Sequence, residues 1–215
     1  MIDEQTKSKR SSFWRELPIL LGVAILVAVL VRAFVLQTFY IPSPSMEHTL
    51  NVYDRVLVNK LVYDFRSPER GEIIVFKAPG EWGSNPKGED FIKRVIGVGG
   101  DEVACCDPQG RIEVNDHPLD EPYIYKNGDG TRDPAADQPF TVTVPEGRLW
   151  VMGDHRSASG DSLEHWQQSK GDIDVATVPE DAVVGRAFVV FWPVSRAKWL
   201  PAPDTFSGVP DTPRD

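Results

Sequence analysis

The sequence predicts a mainly β protein: an N-terminal transmembrane helix, then an all-β ectodomain of antiparallel sheets with a small β insertion. Three observations predict it. A twenty-residue apolar run, Leu17–Leu36, carries one charge, Arg32. Beyond it helical spacing of apolar residues disappears, and short runs rich in Val, Ile and Phe recur between Gly and Pro. The composition, 41% apolar and 26% charged over 215 residues, is that of a folded chain and not of a disordered polyelectrolyte.

The apolar run comes first. At about 1.5 Å per residue it spans roughly 30 Å, enough to cross a bilayer. Lys7, Lys9, Arg10 and Arg15 precede it, whereas residues 37–54 contain no Lys or Arg. The positive-inside rule then leaves residues 1–16 cytoplasmic, 17–36 as the single-pass anchor in the cell membrane, and 37–194 as an extracytoplasmic β domain. Arg32 fits if its guanidinium snorkels to the outer interface. A cleaved secretory leader is the competing reading, because the uncharged stretch Leu17–Val31 is short and Val31-Arg32-Ala33 loosely resembles a cleavage site.

Strands are expected at Arg55–Val62, Glu72–Phe76, Phe91–Val98, Glu102–Cys106, Arg111–Val114, Phe140–Val144, Arg148–Met152 and Val183–Phe191. Breaker-rich connections at Lys77–Asp90 and Asp116–Pro139 read as surface loops. Residues 101–146 read as the smaller β insertion, its hairpins closed at Gln109-Gly110 and Asn115-Asp116. From Ser195 on, four prolines and few apolar residues predict a disordered tail, 195–215. A net charge of −9 with no basic run in the body argues against nucleic acid as a partner. Two Cys and four His lack the paired spacing of a zinc site, so no metal is expected. Cys105-Cys106 is either a vicinal disulfide or two reduced thiols. The acidic residues around Asp120-Glu121 and Asp172–Asp174 read as solvated faces.

Three pieces could carry chemistry. In Ile41-Pro42-Ser43-Pro44-Ser45-Met46 the two prolines keep the chain extended and put Ser43 and Ser45 on one side. In Phe91-Ile92-Lys93-Arg94-Val95-Ile96, period two puts Lys93 and Arg94 on opposite faces, each among apolar residues. A sheet edge guarded by a lysine is one reading. The other is a base: arginine stays protonated, so only Lys93 could accept a proton. Desolvation beside Phe91 and Val95 would lower its pKa, and a shift of ~2 to 3 units costs folding about 3 to 4 kcal/mol at neutral pH. In Met152-Gly153-Asp154-His155-Arg156-Ser157-Ala158-Ser159-Gly160-Asp161-Ser162, closely spaced Asp, Arg and Ser could form a positioning network, or an ordinary solvated turn. His155 also allows a Ser-His-Asp triad with Ser45 and Asp154 or Asp161.

Taken together, in this order, and with Thr49-Leu50, Asp54–Lys60 and Arg70–Phe76 between them, these pieces resemble bacterial type I signal peptidase over most of the chain. The resemblance implies a membrane-anchored serine endopeptidase with a Ser-Lys dyad, acting on signal-peptide-bearing preproteins and needing no cofactor. Ser45 would be the nucleophile and Lys93 the general base. Ser43 and the Ser45 N–H would hold the oxyanion, Ser159 would orient the amine, and Asp154, Arg156 and Asp161 would support the site. Phe39, Ile41, Pro42, Met46, Leu50, Val75, Phe91 and Ile92 would contact the substrate, in small pockets suited to Ala-x-Ala ends. The outer lipid surface would be a further partner, and the chain would act as a monomer. Two positions depart from the family: His155 replaces its usual Asn, and Leu163 replaces the Arg after Asp-Ser, which leaves Asp161 to pair with Arg156. A non-enzymatic anchored β protein binding an envelope partner is the competing class.

Overall fold

The structure is a computed structural model that describes residues 16–27, 29, 35–80, 82–83 and 89–211. The chain divides into two units, Met1–Gln37 and Thr38–Asp215. In the first, helix α1 covers residues 16–27, with Leu17, Ile19, Leu20, Leu21, Val23, Ile25 and Leu26 all exposed. Among the described residues no helix is long and apolar enough to cross a membrane. Residues 28 and 30–34 of the expected span lie outside the described ones. Its expected end is corrected: Leu36 already belongs to strand β1, Leu36–Tyr40, where Phe39 and Tyr40 favour extended backbone.

The second unit contains β2 (Arg55–Asn59), β3 (Ile73–Lys77), β4 (Asp90–Gly97), β5 (Glu102–Cys105), β6 (Ile112–Val114), β7 (His117–Pro118), β8 (Phe140–Thr143), β9 (Arg148–Met152), β10 (Val178–Pro179), β11 (Val183–Trp192) and β12 (Lys198–Trp199). All eight expected strands are present, with ends displaced by one residue in most cases and by three at the end of β2. Two short helices were not expected, α2 (Ser162–Gln168) and α3 (Ile173–Ala176). The larger sheet runs β1-β2-β11-β3-β4-β9-β10, with β12 on β11; the smaller runs β7-β6-β5-β8 and lies within the stretch read as an insertion.

Strand β4 decides the chemistry because it is interior, antiparallel to β3 on one side (Ile74↔Lys93, Ile73↔Arg94) and to β9 on the other (Arg94↔Met152). The edge reading of Lys93 is thereby excluded, and both cations are buried, at 3% and 2% exposure. Ile41, Met46, Leu50, Val56, Val58, Ile73 and Val75 form one apolar cluster. A second joins the smaller sheet to Trp150, Met152 and Leu163.

Three further readings are corrected. The tail is ordered through Asp211: Leu200, Phe206 and Val209 are buried, and Arg196 grips Asp54 with two hydrogen bonds of 2.9 and 3.0 Å. Its prolines shape turns around three apolar anchors, which outweigh the low overall hydrophobicity. The connection Asp116–Pro139 is not wholly a surface loop, since Leu119, Glu121, Ile124, Asp133 and Ala135 are buried in it. Glu121 belongs to an ion pair and is not part of a solvated face. Cys105 and Cys106 form a vicinal disulfide.

Candidate active site

The extended segment after β1 turns back at residues 45–49, and the Ser45 side chain enters the protein while Ser43 and Pro42 stay exposed. Ser45 Oγ lies 2.6 Å from Lys93 Nζ and 3.2 Å from Ser43 Oγ. Burial lowers the Lys93 pKa to about 8, with Asp161, Asp154 and Glu164 pulling weakly the other way. The amine is therefore largely neutral from mildly alkaline pH upward. The unfolded chain binds this proton up to about 10.5, so stability rises with pH between about 8 and 10.5 and the full penalty, about 3 kcal/mol, applies below that window.

Around this pair stands a buried ionic frame. Asp154 receives Arg94 Nε at 2.8 Å and Nη2 at 2.6 Å, and Thr49 Oγ1 donates to it at 2.5 Å. Arg94 Nη1 donates to Gly71 O at 2.8 Å and the guanidinium lies 4.0 Å from the Tyr123 ring centre. Asp161 caps α2 through the Leu163 N–H at 3.1 Å and accepts the Gly153 N–H at 2.9 Å, which fixes both ends of the loop after β9. Arg156 does not pair with Asp161. It reaches Glu121 across the molecule, with Ala135 O at 2.6 Å and Gly153 O at 3.0 Å. With Leu163 apolar and buried, Asp161 turns to backbone donors instead. Gly153 is required by close approach, for a Cβ there would collide with Ser45 O and the Ser159 side chain.

Of the other expected residues, Ser159 is placed beside Ser45, its Oγ buried without a hydrogen-bond partner. It lines a cavity of about 550 Å³ with Met152, Leu163 and Glu164. Ile41, Met46, Leu50 and Val75 are buried in one cluster, and Phe39 and Ile92 pack half-buried at its margin. Phe91 is not with them: it packs with Phe76 and Trp82 in a different cluster. His155 Nδ1 faces Pro44 O at 3.2 Å and Glu47 Oε2 at 3.3 Å, and its Nε2 is 3.9 Å from Asp133. Its ring nitrogens are thus directed away from the Ser45 hydroxyl, which leaves the histidine triad without its central contact. Sequence reading missed Arg94 as the partner of Asp154, and Glu121 and Asp133 as partners of Arg156 and Ser157. The one available signal was a second cation inside an apolar strand, which burial obliges to pair.

A serine hydroxyl touching a desolvated lysine amine is an arrangement in which the amine can accept the hydroxyl proton, as in hydrolases with a serine nucleophile. Residues 14–192 match the family model described as signal peptidase, peptidase S26. The chain is 40% identical over 230 residues to a "Probable signal peptidase I" of Mycobacterium leprae, covering 87% of this chain and 79% of that one. It is 39% identical over 203 residues to a "Probable signal peptidase I-2" of Synechocystis, covering 93% and 84%. With "Signal peptidase IB" of Staphylococcus aureus it shares 34% over 190 residues, covering 83% and 90%. The chain belongs to the signal peptidase family, peptidase S26.

Proposed function

We propose that this protein is a membrane-anchored serine endopeptidase that removes N-terminal signal peptides from exported preproteins, using Ser45 and Lys93. The 2.6 Å contact between Ser45 Oγ and a buried amine carries the reading. As Oγ attacks the scissile carbonyl, its proton passes to Lys93 Nζ. The resulting ammonium gives that proton to the departing amine, and the acyl group stays on Ser45. Lys93, neutral again, takes a proton from water as the water oxygen attacks the ester, then returns it to the departing Ser45 Oγ as the signal-peptide carboxylate is freed. Each time the amine becomes charged, Asp161, Asp154 and Glu164 favour the charge. Burial outweighs them, so the amine still sheds its proton near pH 8.

The Ser43 hydroxyl and the Ser45 N–H are the oxyanion donors in this reading. Ser43→Ala is expected to lower kcat on the order of 10² to 10³-fold with little change in KM, measured on a model preprotein. The pH dependence follows from the base: kcat/KM climbs as Lys93 deprotonates, is half-maximal near 8 and levels off about one unit higher. A limb centred instead near 6 to 7 would point to a histidine.

For the substrate, the Phe39–Ser43 segment supports addition of an extended peptide beside β1, the terminal strand of the larger sheet. Phe39 and Ile92, half-buried against Ile41, Met46, Leu50 and Val75, support an apolar contact for small Ala-x-Ala ends. For the anchor, support comes from the exposed apolar side chains of α1 and the basic residues before it. The chain is expected in the membrane fraction with its original N-terminus. A mature chain starting near Phe34 would contradict the anchor. The test of the function itself is cleavage of a preprotein in detergent or lipid: wild type releases the mature chain, whereas Ser45→Ala does not.

A further inference from the structure

Three rings pack together beside the nucleophile turn and have no part in the proton transfers. Tyr125 contacts two imidazoles: its centre is 3.8 Å from that of His155, nearly parallel at 16°, and 4.6 Å from that of His48, tilted at 41°. His48 closes the turn with φ at 72°, a left-handed conformation that a non-glycine residue adopts at a cost on the order of 1 kcal/mol. Its Nδ1 accepts the Lys126 N–H at 3.4 Å. The Tyr125-Lys126 segment therefore holds the turn at one end, and His155 holds it at the other.

The contact at that other end is specific. His155 Nδ1 sits 3.2 Å from Pro44 O and 3.3 Å from Glu47 Oε2. A carbonyl and a carboxylate only accept, so the ring proton is on Nδ1. Pro44 O receives a second hydrogen bond from the Glu47 N–H at 2.9 Å, which fills both of its acceptor positions. The peptide linking Pro44 to Ser45 is planar, so its C=O and N–H move as one rigid plate pointing in opposite directions. Fixing the Pro44 oxygen fixes the aim of the Ser45 N–H.

We propose that His155 is a positioning residue: its Nδ1–H, kept in plane by the stack on Tyr125, holds the Pro44 carbonyl and so aims the Ser45 N–H at the developing oxyanion. This rests on the peptidase reading above. Because the oxyanion forms only in the transition state, the effect belongs to kcat and not to KM.

Two variants of the full chain test it with a model preprotein. His155→Phe keeps a ring against Tyr125 but has no N–H. His155→Asn loses the ring but carries a nitrogen at the same δ position. The Phe variant is expected to lose about 10- to 100-fold in kcat with KM unchanged, and the Asn variant to recover to within about fivefold of wild type, at equal urea midpoints. A Phe variant that cleaves at the wild-type rate overturns the proposal, as does a loss confined to KM, or an Asn variant as poor as Phe at an unchanged midpoint. The peptidase reading fails separately, if wild type does not cleave or if Ser45→Ala cleaves as well as wild type.

Discussion

Replacing Lys93 by methionine is expected to lower kcat for preprotein cleavage by about 10³ to 10⁴-fold, the full contribution of a general base acting on an otherwise unreactive hydroxyl. Methionine matches the lysine stem in length and suits a site that is 3% exposed. The fold therefore tolerates it, and the urea midpoint should stay level or rise, because a desolvated amine is removed. Lys93→Arg is expected to be as inactive, since a guanidinium does not give up its proton near neutral pH. Both variants are checked by the time course of mature-chain release alongside urea unfolding. Activity above a tenth of wild type in the Met variant would mean that another group takes the Ser45 proton.

Asp154→Ala should have the largest effect on stability, about 3 to 5 kcal/mol, because it leaves the buried Arg94 guanidinium without its counter-charge. Glu121 also favours the Arg94 charge, but it is already engaged by Arg156. Arg94 retains Gly71 O at 2.8 Å and the Tyr123 face, but both partners are neutral. Against a typical total of about 5 to 15 kcal/mol the loss brings the protein close to unfolding. A shifted urea midpoint at an unchanged slope is the expected observation. The partner of the pair supplies the control: Arg94→Met combined with Asp154→Leu removes both charges and should regain much of the stability, though not the activity. Asp154 also presents its backbone carbonyl to the Tyr125 N–H at 2.9 Å, and its neighbours touch Ser45.

The strands were legible because alternation of Val, Ile and Phe between breakers is a local signal, and each of the eight expected runs overlaps an observed strand. Lys93 and Ser45 were legible as residue types but not as neighbours, since 48 residues separate them. Pairing distances of that kind come from topology: β4 lies between β3 and β9, and no periodicity within β4 announces it. The same reason hid Glu121 from Arg156, 35 residues apart. Two-residue strands such as β10 and β12 are too short to leave a pattern. In the tail, Leu200, Phe206 and Val209 are few but well spaced, and composition averages over the spacing that lets them anchor the chain. Leu163 was read as a missing ion-pair partner; it is instead part of the core, and Asp161 serves as a helix cap and as the acceptor for the Gly153 N–H.

A neutral amine beside the Ser45 hydroxyl is the claim on which the mechanism stands, and the ionisation of Lys93 can be observed directly. Labelling the lysines with ¹³C at Cε and following their shifts with pH, with the Lys93→Met chain to assign the signal, gives the midpoint for this one side chain. A midpoint near 8, well below the ordinary lysine value of 10.5, is the predicted result. A Lys93 that titrates at 10 or above would be a charged bystander, and the proton-transfer scheme would be wrong.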